Sequence, residues 1–308
     1  MECRERTHET LKEKLRAHYQ TKDKIFQPDP KNANSFGVGF FLYMSFVLLG
    51  EAFFILLPTL FQEPSLWGAV MSALILFVFV QTMLNWMLSR KKTSVVVASM
   101  RDQAVELTGA DAIQSPPGWQ TCLKCQLEAP PRSHHCNLCG VCVLKRDHHC
   151  FFTASCVGFH NQRRFIVLLF YITLANIIAA VLQFLYLDQA MPFLSMEFLN
   201  YIPMVTVYRW LIVGDISTWV MCVVVHLYLT LFCLAGAVFF LVWQFVVVFR
   251  GQTSHEAWKN ISVYQTGILD GWRSTFGPYG MVHFLFPFQI DLQQDGINWE
   301  SSMRLKSN

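Results

Sequence analysis

Hydrophobic and polar positions alternate in blocks rather than in faces, and the blocks are long. A bilayer core needs roughly 20 apolar residues of helix. Phe36–Phe61 meets that length with one formal charge, Glu51, while Leu66–Ser89 and Phe165–Leu187 carry none. Ile216–Phe249 is a fourth such run, also uncharged, and as a helix it would measure about 51 Å. That exceeds a core of about 30 Å, so the helix is expected to outrun the bilayer or to start in the preceding loop. Met191–Val213 is apolar as well but holds Glu197, Arg209, Pro192 and Pro203. It reads as a structured or interfacial loop. The pattern predicts an all-α polytopic membrane protein with four transmembrane helices.

Lys and Arg placement orients the spans. Residues 1–35 hold eight, residues 90–164 hold ten and the tail from Arg250 holds five, whereas Gln62–Ser65 has none and residues 188–215 have only Arg209. Four spans put every basic segment on one side, so both termini and the loop between spans 2 and 3 are expected to face the cytosol. The divisions follow: a polar segment 1–35, spans at 36–89, a loop 90–164, spans at 165–249 with a short connection, and a tail 250–308. The first 35 residues show no apolar signal-peptide core, Glu2 excludes myristoylation and the last residues form no CaaX box.

Composition narrows the class. Charged residues make up only 15% of 308 residues, against about 25% for soluble domains, and apolar residues 53%. Twenty-seven Phe and the lack of low-complexity runs exclude disorder and collagen. A net charge of +3 is too weak for a nucleic-acid binder.

Seven of the ten cysteines fall between Cys122 and Cys156, in the predicted cytosolic loop. They read Cys122-x2-Cys125, His134-His135-Cys136-x2-Cys139-x2-Cys142, Asp147-His148-His149-Cys150 and Cys156. A reducing compartment argues against disulfides, and repeated C-x2-C spacing favours tetrahedral zinc. Two Cys3His sites would consume six of the cysteines and two of the four histidines, leaving one thiol over. Its surroundings identify it as Cys150, which follows two histidines and an aspartate. An adjacent imidazole, His148, is placed to take its proton, and Asp147 to hold that imidazole in the right tautomer.

This run resembles the cysteine-rich domain of the DHHC protein S-acyltransferases (palmitoyltransferases), through Pro130-x-Arg132, Asp147-His148-His149-Cys150, Cys156-Val157-Gly158 and Asn161. Thr253-Ser254-His255-Glu256 stands where that family carries Thr-Thr-x-Glu after the last span. The chain looks closest to the family's divergent twenty-fourth-type branch. The resemblance implies one structural zinc on Cys122, Cys125, His135 and Cys142, and a second on Cys136, Cys139, His149 and Cys156. It implies transfer of a long-chain acyl group from acyl-CoA through an S-acyl-Cys150 intermediate to cysteines of membrane-associated proteins, at an endomembrane, Golgi or endoplasmic reticulum. Arg132 is then expected to meet CoA phosphates, Phe152, Phe165 and Leu168 to wall the acyl chain, and Thr253, Ser254 and Glu256 to brace the catalytic turn. His134 is not needed as a ligand. Glu51 and His226, inside spans, are expected to hydrogen-bond between helices. Phe151-Phe152 and Ala154-Ser155 replace the usual Pro-Trp and Asn-Asn, and Gly271 replaces an Asn. The alternative function is a catalytically weak or inactive zinc scaffold that binds partners in the membrane.

Overall fold

In the computed structural model, residues 30–61, 65–91, 94–100, 118–286 and 295–299 are described. The basic residues of 1–29, Cys3, the loop residues 62–64 and the chain beyond 299 lie outside them.

Four helices are long and apolar enough to cross a membrane. Helix α1, Pro30–Glu51, continues through a π-helical turn, Ala52–Leu56, into Leu57–Leu60. Helix α2, Leu66–Ser89, starts where the Ser65 hydroxyl accepts from Gly68 N–H. Helix α3 covers Gln162–Ala190, and the Ser217 hydroxyl caps a later span, Thr218–Phe249. Between these two come a 3-10 turn, Met196–Tyr201, and a short helix α4, Pro203–Tyr208, that tightens into a π turn, Arg209–Val213. Thr218–Phe249 is therefore α5. Helix α3 begins before the predicted Phe165 because Arg163 and Arg164 sit at the bundle's end, where charge does not stop a helix. Helix α5 runs about 48 Å at 1.5 Å per residue and so projects past the bundle toward the loop domain.

The segment Met191–Val213 is structured, as its sequence implies. Met191, Tyr201 and Ile216 pack against Leu56, Leu182, Val223 and Val224, closing one end of the bundle. Leu194, Met204, Leu211 and Ile212 are left exposed on its outer side.

At the opposite end the loop between α2 and α3 folds into three two-stranded antiparallel ribbons: β1 Gln120–Cys122 with β2 Leu127–Ala129, β3 His134–Cys136 with β4 Val141–Val143, and β5 His148–Cys150 with β6 Ser155–Val157. The all-α expectation thus holds for the bundle, and the loop adds short β-ribbons. The tail after α5 returns to this end as α6 Ser254–Trp258, α7 Ile268–Phe276 and α8 Val282–Leu285. Gly271 explains itself here. A Cβ at that position would stand 2.1 Å from the Val248 carbonyl oxygen, so α7 lies directly on the end of α5 only because the residue is glycine.

Candidate active site

Strand alternation sorts the histidines and cysteines. Neighbouring residues on a strand point to opposite faces, and residues two apart share one. In β3, His135 and Cys136 therefore diverge. His135 lies opposite Cys142 in the ribbon and joins Cys122 and Cys125 of the first ribbon. Cys136 turns to the other side, where it joins Cys139, His149 and Cys156, the last two being direct partners in the β5–β6 ribbon. The middle ribbon thus serves both clusters. In each, the four ligand atoms lie within 4.8 Å of one another.

These donors fit zinc. Tetrahedral Zn–S bonds of about 2.3 Å separate sulfurs by about 3.8 Å. Cys139 and Cys156 sulfurs are 3.7 Å apart, and His135 Nδ1 is 3.2 and 3.7 Å from the sulfurs of Cys125 and Cys122. His149 Nε2 stands 3.0 Å from Asn34 Oδ1 of α1, which fixes the tautomer that leaves Nδ1 toward the sulfurs. Crowding divides the thiols: hydrogen bonds from Cys139 and Cys156 pull the Cys136 pKa down, while those with Cys136 and Cys139 push Cys156 up. A shared divalent cation removes that conflict by binding all of them as thiolates. His134 is outside both clusters, its ring 3.9 Å from that of His255 and tilted against it by 34°.

The same alternation puts His148 and Cys150 together on the other face of β5, away from His149. His148 Nδ1 meets Asp147 Oδ2 at 2.7 Å, and the same imidazole interacts electrostatically with the Cys150 thiol. Asp147 is buried, and its oxygens accept from Ser254 N–H, from the Ser254 hydroxyl at 2.9 Å and from Gln244 Nε2 at 2.8 Å. Burial works against the charged form of each group, and the hydrogen bonds overcome it. Asp147 falls to about 2, His148 rises to about 9 and the Cys150 pKa is lowered, with His148 its main stabilising partner. The arrangement favours a thiolate beside an imidazolium.

Thr253 and Glu256 form a capping box at the start of α6 that presents Ser254 to Asp147. Arg132 lies where the loop domain meets the tail. Its guanidinium is buried, donating to both Glu256 carboxylate oxygens at 2.7 and 2.8 Å and to the Gly251 carbonyl at 2.8 Å. Tyr264 and Trp299 cover its faces. Arg132 thereby joins the tail to the loop domain.

Below Cys150 the four spans line a partly open apolar cavity of about 600 Å³. Phe165, whose ring lies 5.0 Å from that of His148, and Leu168 are among its walls. Phe152 also lines it and is 47% exposed at its rim. The family's indole at this position is missing, yet an indole N–H is present from elsewhere: Trp86 Nε1 donates to the Phe152 carbonyl at 2.9 Å. Gly37 lets α1 meet the same turn, since a Cβ there would stand 2.7 Å from the Phe151 carbonyl oxygen. Gln244, Asn34 and Trp86 escaped the sequence reading because uncharged polar or aromatic residues near the ends of apolar runs carry no spacing signal.

Four membrane-length helices, two Cys3His clusters able to hold metal ions and a polarised Asp–His–Cys turn over an apolar cavity define a polytopic membrane protein with a thiol site beside candidate metal sites. Residues 116–261 match the family described as DHHC palmitoyltransferase. Among curated proteins no match to the chain is found.

Proposed function

We propose that the protein is a protein S-acyltransferase that carries a long-chain acyl group on Cys150. The observation that carries this reading is the Asp147–His148–Cys150 arrangement at the mouth of an apolar cavity. The cavity volume lies within the roughly 300–1,000 Å³ of small-molecule sites. A palmitoyl tail has about 14 methylenes, so its removal from water is worth roughly 11 kcal/mol.

The Cys150 thiolate attacks the acyl carbon of an acyl-CoA, the bond to CoA sulfur breaks, and His148 returns its proton to the leaving thiolate. An acceptor cysteine then gives its proton to His148 and attacks the Cys150 thioester, which frees Cys150. Asp147 holds the imidazole through both steps, and Ser254 and Gln244 hold Asp147. Zinc, when bound, supplies folding free energy and no open position for chemistry. Thr253, Ser254 and Glu256 act by support, and Phe152, Phe165 and Leu168 by lining the chain near its thioester. On the resemblance alone, the reading extends to a cytosol-facing site on an endomembrane, Golgi or endoplasmic reticulum, and to the twenty-fourth-type branch. A zinc scaffold needs only the eight ligands and has no use for a buried carboxylate aimed at a non-ligand histidine.

The test supplies vesicles holding the purified protein with palmitoyl-CoA and a membrane-anchored cysteine peptide. Transfer that disappears in Cys150→Ser supports the enzyme. Equal labelling of the peptide with and without Cys150 contradicts it.

A further inference from the structure

Helix α3 has two faces with different neighbours. Phe165, Leu168 and Leu169 turn toward Cys150 and the cavity and are buried. Arg163 lies about 160° around the helix from Phe165, on the opposite face. Phe170, Ile177 and Val181 continue that opposite face within about 40° of Arg163. They are exposed, as side chains that meet lipid are. Arg163 therefore heads a lipid-facing stripe, at the end of the bundle that carries the loop domain.

A juxtamembrane arginine that only marks topology keeps its charge in water. Arg163 is instead 8% exposed, beside the tail. Its Nη1 donates to His283 Nε2 of α8 at 3.4 Å. Burial, together with Arg163 and Arg164, holds the His283 pKa down at about 4, so this imidazole is neutral and brings no countercharge. Among the described residues no carboxylate pairs with Arg163, and its Nε and Nη2 have no partner although neither is sealed. A cation buried in that state is costly until an anion joins it.

Helix α8 is pinned next to this charge. Gln81 Nε2 of α2 donates to the Leu285 carbonyl at 2.7 Å, and the Tyr171 hydroxyl of α3 donates to the Phe284 carbonyl. Around the anchorage Met281, Val282, Leu285 and Phe286 are exposed, and the Phe170 ring meets Phe284 edge-on at 5.2 Å. An open guanidinium at the head of an apolar surface matches a phosphate joined to hydrocarbon chains.

We propose that Arg163, framed by α8, binds an anionic phospholipid of the leaflet on the loop-domain side. The phosphate sits on the guanidinium and the chains run along Phe170, Ile177 and Val181. A phosphatidate headgroup is the phosphate alone and fits a recess this narrow, whereas choline would return a cation to Arg163. The site is separate from Cys150, which faces the other side of α3, and does not depend on acyl transfer.

The test titrates the full-length protein, in micelles of a neutral detergent, with phosphatidate and with phosphatidylcholine of the same chains. A charge-assisted hydrogen bond changes an affinity by roughly tenfold or more. Phosphatidate should therefore bind at least about tenfold more tightly than phosphatidylcholine, and Arg163→Gln should erase that preference. His283→Glu should erase it too, by giving Arg163 a carboxylate while holding the tail in place, and it decides the matter should Arg163→Gln fold poorly. Arg273→Gln, which removes an exposed charge from α7, should keep the preference. Equal affinity for the two lipids in wild-type protein overturns the inference, as does a preference that survives in His283→Glu. Loss of the preference in Arg273→Gln overturns it as well, by showing diffuse attraction to surface charge. Displacement of phosphatidate by an equal concentration of CoA or inorganic phosphate would make this a site for free phosphates and overturn the lipid assignment.

Discussion

Cys150 and His148 share a face of one short strand, and their opposite pKa displacements set a pH dependence. With the thiol lowered and the imidazole raised to about 9, the environment favours the thiolate–imidazolium pair at pH values where an ordinary thiol is mostly neutral. In His148→Ala the thiol loses its main stabilising partner, while burial still opposes its charge. Its pKa therefore rises. Acylation near neutral pH should fall by roughly a hundredfold or more, and the deficit should narrow as pH increases and Cys150 ionises unaided. A parallel loss at every pH would contradict the ion pair. Stopped-time labelling across pH, with zinc content measured alongside, reads both. His149, one residue on, faces the clusters instead and belongs to the folding of the domain.

At the scale of elements, the β3–β4 ribbon is the hinge of the metal domain. It gives His135 and Cys142 to one cluster and Cys136 and Cys139 to the other, so neither metal site is independent of it. Structural zinc contributes about 10–16 kcal/mol of apparent folding free energy, and ribbons of three residues a side have little core to replace it. Cys136→Ser should release zinc from its own cluster, loosen the β5–β6 ribbon and thereby misplace Cys150. Metal analysis of the intact protein should give two zinc ions per chain, and of this variant one or fewer. A variant that keeps two ions would refute the assignment. The cluster membership was legible in the spacing together with the family resemblance. The ribbons were not, because strands this short carry too few positions to show a period of two.

Over the whole molecule, the tail and the loop domain are locked by Arg132 and Glu256, residues 124 positions apart. Sequence showed four spans because twenty apolar residues in a row have few alternatives. It did not show this pair, since a motif arginine reads alike whether its partner is a phosphate or a carboxylate far along the chain. The same holds for Gln244 and Asn34, which reach Asp147 and His149 only through the packing of helices. Arg132→Ala leaves Glu256 buried without its countercharge, a loss of about 3–5 kcal/mol. It should lower the thermal unfolding temperature and make the tail cleavable by protease, while the protein that remains folded keeps its KM for acyl-CoA. A raised KM at unchanged stability would restore the phosphate contact instead.

The central claim is that Cys150 itself carries the acyl group. Purified protein with both zinc ions, incubated with palmitoyl-CoA and digested, should yield the Cys150 peptide with the mass of one palmitoyl group. Hydroxylamine should remove that mass, and Cys150→Ser should not acquire it. A thioester found on another cysteine, or none on Cys150 while the protein stays folded and metallated, would contradict the account.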